Sequence, residues 1–265
     1  MPVRTGSAEL NGARIAWREA GAGTPVLLLH AFPLSGRMWL PQLESLPESH
    51  RWIAPDLRGF GESDAPDQPL SMEILAGDLE ALLDHLRLER AHVCGVSMGG
   101  YVAFAFWRHH PERLGRLVLC DTRAGADSPQ ARMARRLASE RVREEGAAAI
   151  PDLMLERLLG RDTLRDQPRT VERVREMLEE VRPDSFIRAQ SAMAGRPDSS
   201  PALDSMTMPV LVMVGEQDAL IAESDARALA DAFPNGRLSV IAGAGHLPNL
   251  EQPHAFDAAL QDFLT

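Results

Sequence analysis

The segment Gly95-Val96-Ser97-Met98-Gly99 places a serine between glycines two positions to either side. An apolar, strand-like run at 91–96 leads into it, and Tyr101, Val102, Ala103, Phe104, Ala105, Phe106 and Trp107 then read as a largely buried helix. A side chain can stand at the tip of so tight a strand-to-helix turn only if the residues crowding it lack a Cβ, and Gly95 and Gly99 meet that need. The Ser97 hydroxyl would then stand clear of the strand ends as a nucleophile. The first turn of the following helix would aim free N–H groups at an oxyanion formed beside it. The alternative is a glycine-rich turn with an incidental serine, which the strand, turn and helix context disfavours.

A serine hydroxyl is a weak nucleophile near neutral pH and needs a base within hydrogen-bond reach, itself oriented by a buried carboxylate. Among the eight histidines, His50, His85, His109 and His110 fall on expected helix surfaces or loops, His92 begins a strand away from the turn, and His254 lies in the closing helix. His246 follows a late strand in the loop Gly243-Ala244-Gly245-His246, where a side chain can swing over the carboxyl edge of a sheet. Two aspartates compete to orient it. Asp121 ends the strand after the nucleophile, and Asp218 ends a later one; the order serine, acid, histidine along the chain favours Asp218. Asp56, within Pro55-Asp56-Leu57-Arg58-Gly59-Phe60-Gly61, reads as a loop-fixing residue.

The elements that must position these groups alternate. Asn11-Gly12, between 8–10 and 13–18, signals an opening antiparallel hairpin. The continuous apolar run 26–29 reads as a strand buried on both faces and 209–215 as a buried strand, with further strands at 51–56, 91–96, 114–120 and 236–241. Helices are expected at 71–88 (with Ser71 as cap), from 101, at 223–233 and at 250–264. Such alternation implies an α/β chain with a mainly parallel sheet covered on both faces. It stops at 122–201, where helical patches at 129–145, 147–159, 170–181 and 184–194 appear without a convincing strand. An insertion there would sit over the carboxyl ends of the strands, so the expected organisation is a core of 1–121 and 202–265 with a helical cap at 122–201.

Composition bounds the rest. The 265 residues carry 28 basic and 38 acidic side chains, a net charge of −10 that gives nucleic-acid binding no electrostatic support. No apolar run approaches the roughly 18–20 residues that span a bilayer, and residues 1–12 hold no apolar core of the signal-peptide type, so the expected compartment is the cytoplasm. Cys94 and Cys120, near the ends of buried strands, read as reduced core thiols.

Taken together, the chain resembles the α/β-hydrolase fold family nearly end to end. His30-Ala31-Phe32-Pro33 is similar to its oxyanion loop, residues 56–63 to its D-x-R-G-x-G-x-S loop, and residues 95–99 to its nucleophile elbow. The stretch from His30 to Ser35, with Trp39 and Gln42, looks like the branch of 3-oxoadipate enol-lactone hydrolases, non-haem haloperoxidase-like proteins and small arylesterases. The resemblance implies an eight-stranded sheet with the lid inserted after the sixth strand and an oxyanion hole of the Phe32 and Met98 backbone N–H groups. It also implies a serine esterase or lactonase acting through an acyl-enzyme, with Ser97, Asp218 and His246 as the triad and neither cofactor nor metal. The expected partner is a small ester or lactone. His30, Trp39 and Arg123 are the expected substrate contacts, with Arg123 or a lid arginine meeting a substrate carboxylate. Cofactor-free perhydrolysis would use the same triad; a dehalogenase would need an aspartate at 97. The reading from another class is a non-catalytic binding protein on the same fold.

Overall fold

The computed structural model describes residues 2–65 and 68–265; Met1 and positions 66–67 lie outside the described residues. The chain opens with strands β1 (Arg4–Leu10) and β2 (Ala13–Gly21), joined at Asn11 and Gly12, both at positive φ. The parallel strands are β3 (Thr24–Leu29), β4 (His50–Pro55), β5 (Ala91–Val96), β6 (Leu114–Cys120), β7 (Val210–Gly215) and β8 (Gly236–Ile241). They form one eight-stranded sheet in the order β1-β2-β4-β3-β5-β6-β7-β8. Only the β1–β2 and β2–β4 pairs are antiparallel. The apolar run Val26, Leu27, Leu28 and Leu29 is fully buried in β3, as strands covered on both faces must be.

Helices α1 (Leu40–Ser45), α2 (Met72–His85) and α3 (Met98–His109) occupy the first half, and Ser71 caps α2 by accepting from the Ile74 N–H. Between β6 and β7 lie α4 (Pro129–Glu145), α5 (Ala149–Leu158), α6 (Arg161–Asp166), α7 (Pro168–Glu179) and α8 (Pro183–Gly195), with no strand among the described residues. The second half adds α9 (Glu223–Asp231), α10 (Pro248–Glu251) and α11 (Pro253–Leu264).

Three departures from the sequence reading have local causes. The single closing helix expected at 250–264 is two, because Gln252 leaves the helical region (φ −135°, ψ 60°) and Pro253, which has no N–H to donate, starts a new one. The turns at 36–45, outside the helices expected from sequence, are helical and buried through Met38, Trp39, Gln42 and Leu43. Short α6 was not expected either; its six residues bury only Thr163.

The helical segment is tied to the sheet by polar contacts at several points. The Arg182 guanidinium donates to the Ser63 carbonyl at 2.8 Å, and Arg37 meets Glu180 at 2.5 Å. The His246 N–H donates to the Leu158 carbonyl at 3.1 Å.

Candidate active site

Ser97 lies between β5 and α3 with φ 54° and ψ −111°, a conformation that costs a non-glycine residue about 1–3 kcal/mol and persists only where its surroundings impose it. Here they do. Its N–H donates to the Cys120 carbonyl at 2.8 Å, and its carbonyl accepts from the Thr122 hydroxyl at 2.8 Å. A Cβ on Gly95 would stand 2.4 Å from the Gly99 carbonyl group, and one on Gly99 2.4 Å from the Leu29 carbonyl oxygen, so both glycines are required by the close approach of α3 to β5 and β3.

The sharp turn also leaves backbone donors free. Met98 is the first residue of α3, and Phe32 follows β3 in a loop; among the described residues neither N–H donates a hydrogen bond. Phe32 borders the same cavity as Ser97, and its ring rests against Phe60 and Phe186.

His246, in the loop after β8, is buried, and its Nδ1 lies 2.7 Å from Asp218 Oδ2. A carboxylate can only accept, so Nδ1 carries the proton and Nε2 presents its lone pair. That Nε2 is buried without a partner, in the wall of the cavity that Ser97 also lines. Burial works to raise the Asp218 carboxyl, but the charge and hydrogen bond of His246, with the neighbouring Asp121 and the Leu220 N–H, hold it below the ordinary carboxylate range. Asp121 does not contact the imidazole as its orienting acid; it stands behind Asp218 in a buried cluster with His246, their ligand atoms all within 4.8 Å. That spacing would suit an ion, yet the short Asp218–His246 bond already commits two of the three groups to each other.

One positioning group escaped the sequence reading. Buried Glu251 accepts from the Gly245 N–H at 2.9 Å and the Leu247 N–H at 3.0 Å, the two peptide groups flanking His246, and from the Gly160 N–H at 2.7 Å. It therefore clamps the histidine loop to the helical segment. A glutamate five residues after a histidine carries no signal in sequence, because only folding brings α6 to it.

The cavity, of about 200 Å³, is walled by Ser97, His246, Tyr101, Leu220 and Ile221 from the sheet side and by Met154, Leu158 and Met193 from α5 and α8. The other apolar residues of the helical segment divide in two. Leu155, Leu159, Met177, Leu178 and Phe186 are core, whereas Met133 and Leu137 stand on the exposed face of α4.

Two of the expected substrate contacts are not at the cavity. His30 is fully buried: its Nδ1 pairs with the Ala31 carbonyl at 3.0 Å and its Nε2 accepts from the Leu57 N–H at 3.0 Å. Desolvation depresses its pKa to about 4, so it is a neutral brace between two loops. Trp39 is buried against Phe256 and docks α11. Arg123 does line the cavity; it donates to the Leu220 carbonyl at 2.6 Å rather than to Asp121 or Asp127.

Asp56 fixes its loops as expected, accepting from the Gly36 N–H at 2.7 Å and the Glu62 N–H at 2.9 Å and pairing with Arg18 at 3.1 Å. Cys94 and Cys120 are free and buried, and burial raises both thiols above the usual range.

Residues 24–253 match the model of the alpha/beta hydrolase fold family. The chain belongs to that family. Among α/β hydrolases of known structure it is similar to a thermophilic esterase from Thermogutta terrifontis, at 41% identity and TM-score 0.94 with 98% of each chain covered. It is also similar to an enol-lactonase from Burkholderia xenovorans, at 30% identity and TM-score 0.90 over 98% of this chain and 99% of that one. A curated α/β-hydrolase relative, 3-oxoadipate enol-lactonase 2 from Acinetobacter baylyi, is 32% identical over 84% of this chain and 82% of its own. These are the branches named from the residues 30–35, Trp39 and Gln42. Among the described residues no helix is long and apolar enough to cross a membrane.

Proposed function

We propose that the protein hydrolyses carboxylic esters or lactones through an acyl-enzyme on Ser97. The observation that carries this reading is the free lone pair of His246 Nε2, held by Asp218 on the opposite nitrogen and facing the cavity that Ser97 borders. His246 Nε2 takes the Ser97 hydroxyl proton as Oγ attacks the carbonyl carbon; the carbonyl oxygen gains negative charge and is met by the free N–H groups of Phe32 and Met98. The imidazolium then gives its proton to the leaving oxygen as the carbon–oxygen bond breaks. Water, deprotonated by the same nitrogen, attacks the acyl-enzyme and releases the acid and Ser97. No step calls on a metal or cofactor. The helical segment serves as a cap that supplies the outer wall of the cavity.

The charges around the cavity favour a substrate that carries an anionic group besides its ester. Among the described residues, Arg123, Arg135 and Arg157 line it against the one carboxylate of Asp127. Asp127 is already paired with Arg135 at 2.5 Å and with Arg196 at 2.6 Å. Arg157 has no hydrogen bond or ion pair among the described residues, and desolvation with the neighbouring charge of Arg135 lowers its pKa. A guanidinium in that state gains by meeting a carboxylate.

Stoichiometric labelling by a fluorophosphonate, lost in Ser97→Ala, together with turnover of p-nitrophenyl acetate that falls by on the order of a millionfold in that variant, tests the enzymatic reading. Absence of both labelling and turnover in the wild type would leave a binding protein on a hydrolase fold.

A further inference from the structure

Two buried carboxyl groups share one imidazole in this site, and only one of them touches it. Asp218 accepts from His246 at 2.7 Å and from the Leu220 N–H at 2.7 Å. Asp121 Oδ1 accepts from the Gly215 N–H at 2.9 Å, the peptide that ends β7 ahead of the Asp218 loop, and its Oδ2 lies 2.9 Å from the Cys120 thiol. Asp121 sits at φ +47° and is 1% exposed. Among the described residues neither carboxyl bonds to an arginine or lysine. Like charges so close in a desolvated space cannot both ionise, so a single proton must reside on one of the two. Asp218 accepts from the Nδ1–H of His246 and from the Leu220 N–H, donors suited to a carboxylate. The proton therefore belongs to Asp121.

Resting on the reading above, we propose that Asp121 is a positioning residue, a neutral carboxylic acid whose hydroxyl donates to Asp218 and so fixes both the orientation and the charge of the group that holds His246. The contacts on Asp121 are consistent with this form. Its carbonyl-like Oδ1 takes the Gly215 N–H, which leaves Oδ2 as the hydroxyl oxygen, able to accept from the Cys120 thiol while donating to Asp218. Burial and the Asp218 charge push the Asp121 carboxyl well above its ordinary range, and burial keeps the Cys120 thiol protonated as a donor. The titratable groups that face Asp121 are Asp218 from the loop after β7, His246 from the loop after β8, and Cys120 of β6 with Cys94 of β5 behind it. A donor to Asp218 spreads its negative charge, so His246 is held in place without being driven to keep its proton.

The pH profile of kcat/KM for p-nitrophenyl acetate separates this arrangement from its rivals. Asp121→Asn keeps an N–H donor to Asp218 and an acceptor for Gly215, so its acidic limb should lie where the wild-type limb lies and its kcat/KM within a few-fold of wild type. Asp121→Ala removes the donor; its limb should move upward by about half a pH unit to one pH unit, with kcat/KM at neutral pH lowered roughly tenfold. A limb that moves downward in Asp121→Asn would show that Asp121 is ionised in the native enzyme and overturn the proposal. An Asp121→Ala enzyme that loses only thermal stability, with limb and kcat/KM unchanged, would overturn it too. Should Asp121→Ala fail to fold, the Asp121→Asn profile still decides. Failure of the triad reading itself is distinguishable, because it would appear as full turnover by Ser97→Ala whatever Asp121 does.

Discussion

On either side of β5 the structure buries aspartates at strand ends, and the two sides use them differently. After β4, Asp56 is paired with Arg18 and accepts two backbone N–H groups from the loops around it. Its charge is fully compensated by groups that cannot move or titrate near neutral pH, which makes a joint. After β6 and β7, Asp121 and Asp218 have no such cation among the described residues, and the base beside them is His246. Their compensation depends on protons, which makes a site that can pass one. The same residue type at the same kind of position becomes scaffold or chemistry according to whether its partner can exchange a proton.

The largest effects should fall on the proton-dependent side. Asp218→Ala should lower kcat/KM by on the order of 10⁴-fold while the unfolding midpoint stays near wild type, since it frees the imidazole without opening the sheet. Asp56→Ala should do the converse. Leaving Arg18 buried without its partner should cost about 3–5 kcal/mol in urea unfolding, with turnover per folded molecule changed far less. Loss of stability from the first, or loss of turnover without loss of stability from the second, would break the comparison.

A smaller effect belongs to the histidine brace on the Asp56 side. His30 has a folded pKa of about 4 against a reference value of 6.5, so between those values the unfolded chain takes up a proton that the folded one refuses. His92 adds to the same trend with a folded pKa of about 4. Stability should therefore be fully present above about pH 6.5 and decline as pH falls toward 4, by roughly 1–3 kcal/mol, and His30→Gln should flatten the curve measured by urea unfolding at pH 7 and pH 5.

The smallest effect should sharpen the chemical side. Arg157→Gln should lower the ratio of kcat/KM for a dicarboxylic acid monoester over its isosteric neutral diester by about tenfold. An unchanged ratio would remove Arg157 from substrate recognition.

Much of this was legible in the chain because it follows from local rules. Gly95, Ser97 and Gly99 announce a turn whose sterics allow few other residues, and the apolar runs 26–29 and 210–214 read as strands covered on both faces. His246 could be picked out because it follows a strand within glycines. His30 and Trp39 could not be placed, since a histidine or tryptophan beside an active-site loop reads the same whether it faces substrate or the core; burial alone separates them.

What sequence determined by itself was the succession of strands and helices and the choice of Ser97 and His246 as candidates, with chain order favouring Asp218 over Asp121, because turn sterics and hydrophobic period act over a few residues. What only the tertiary structure decided was which carboxyl holds His246 and which stands behind it, that Glu251 clamps the histidine loop, and that Arg157 lacks a partner among the described residues. Each of these depends on groups dozens of positions apart being desolvated together, and the cost of burying charge is set by neighbours in space, which no stretch of chain contains.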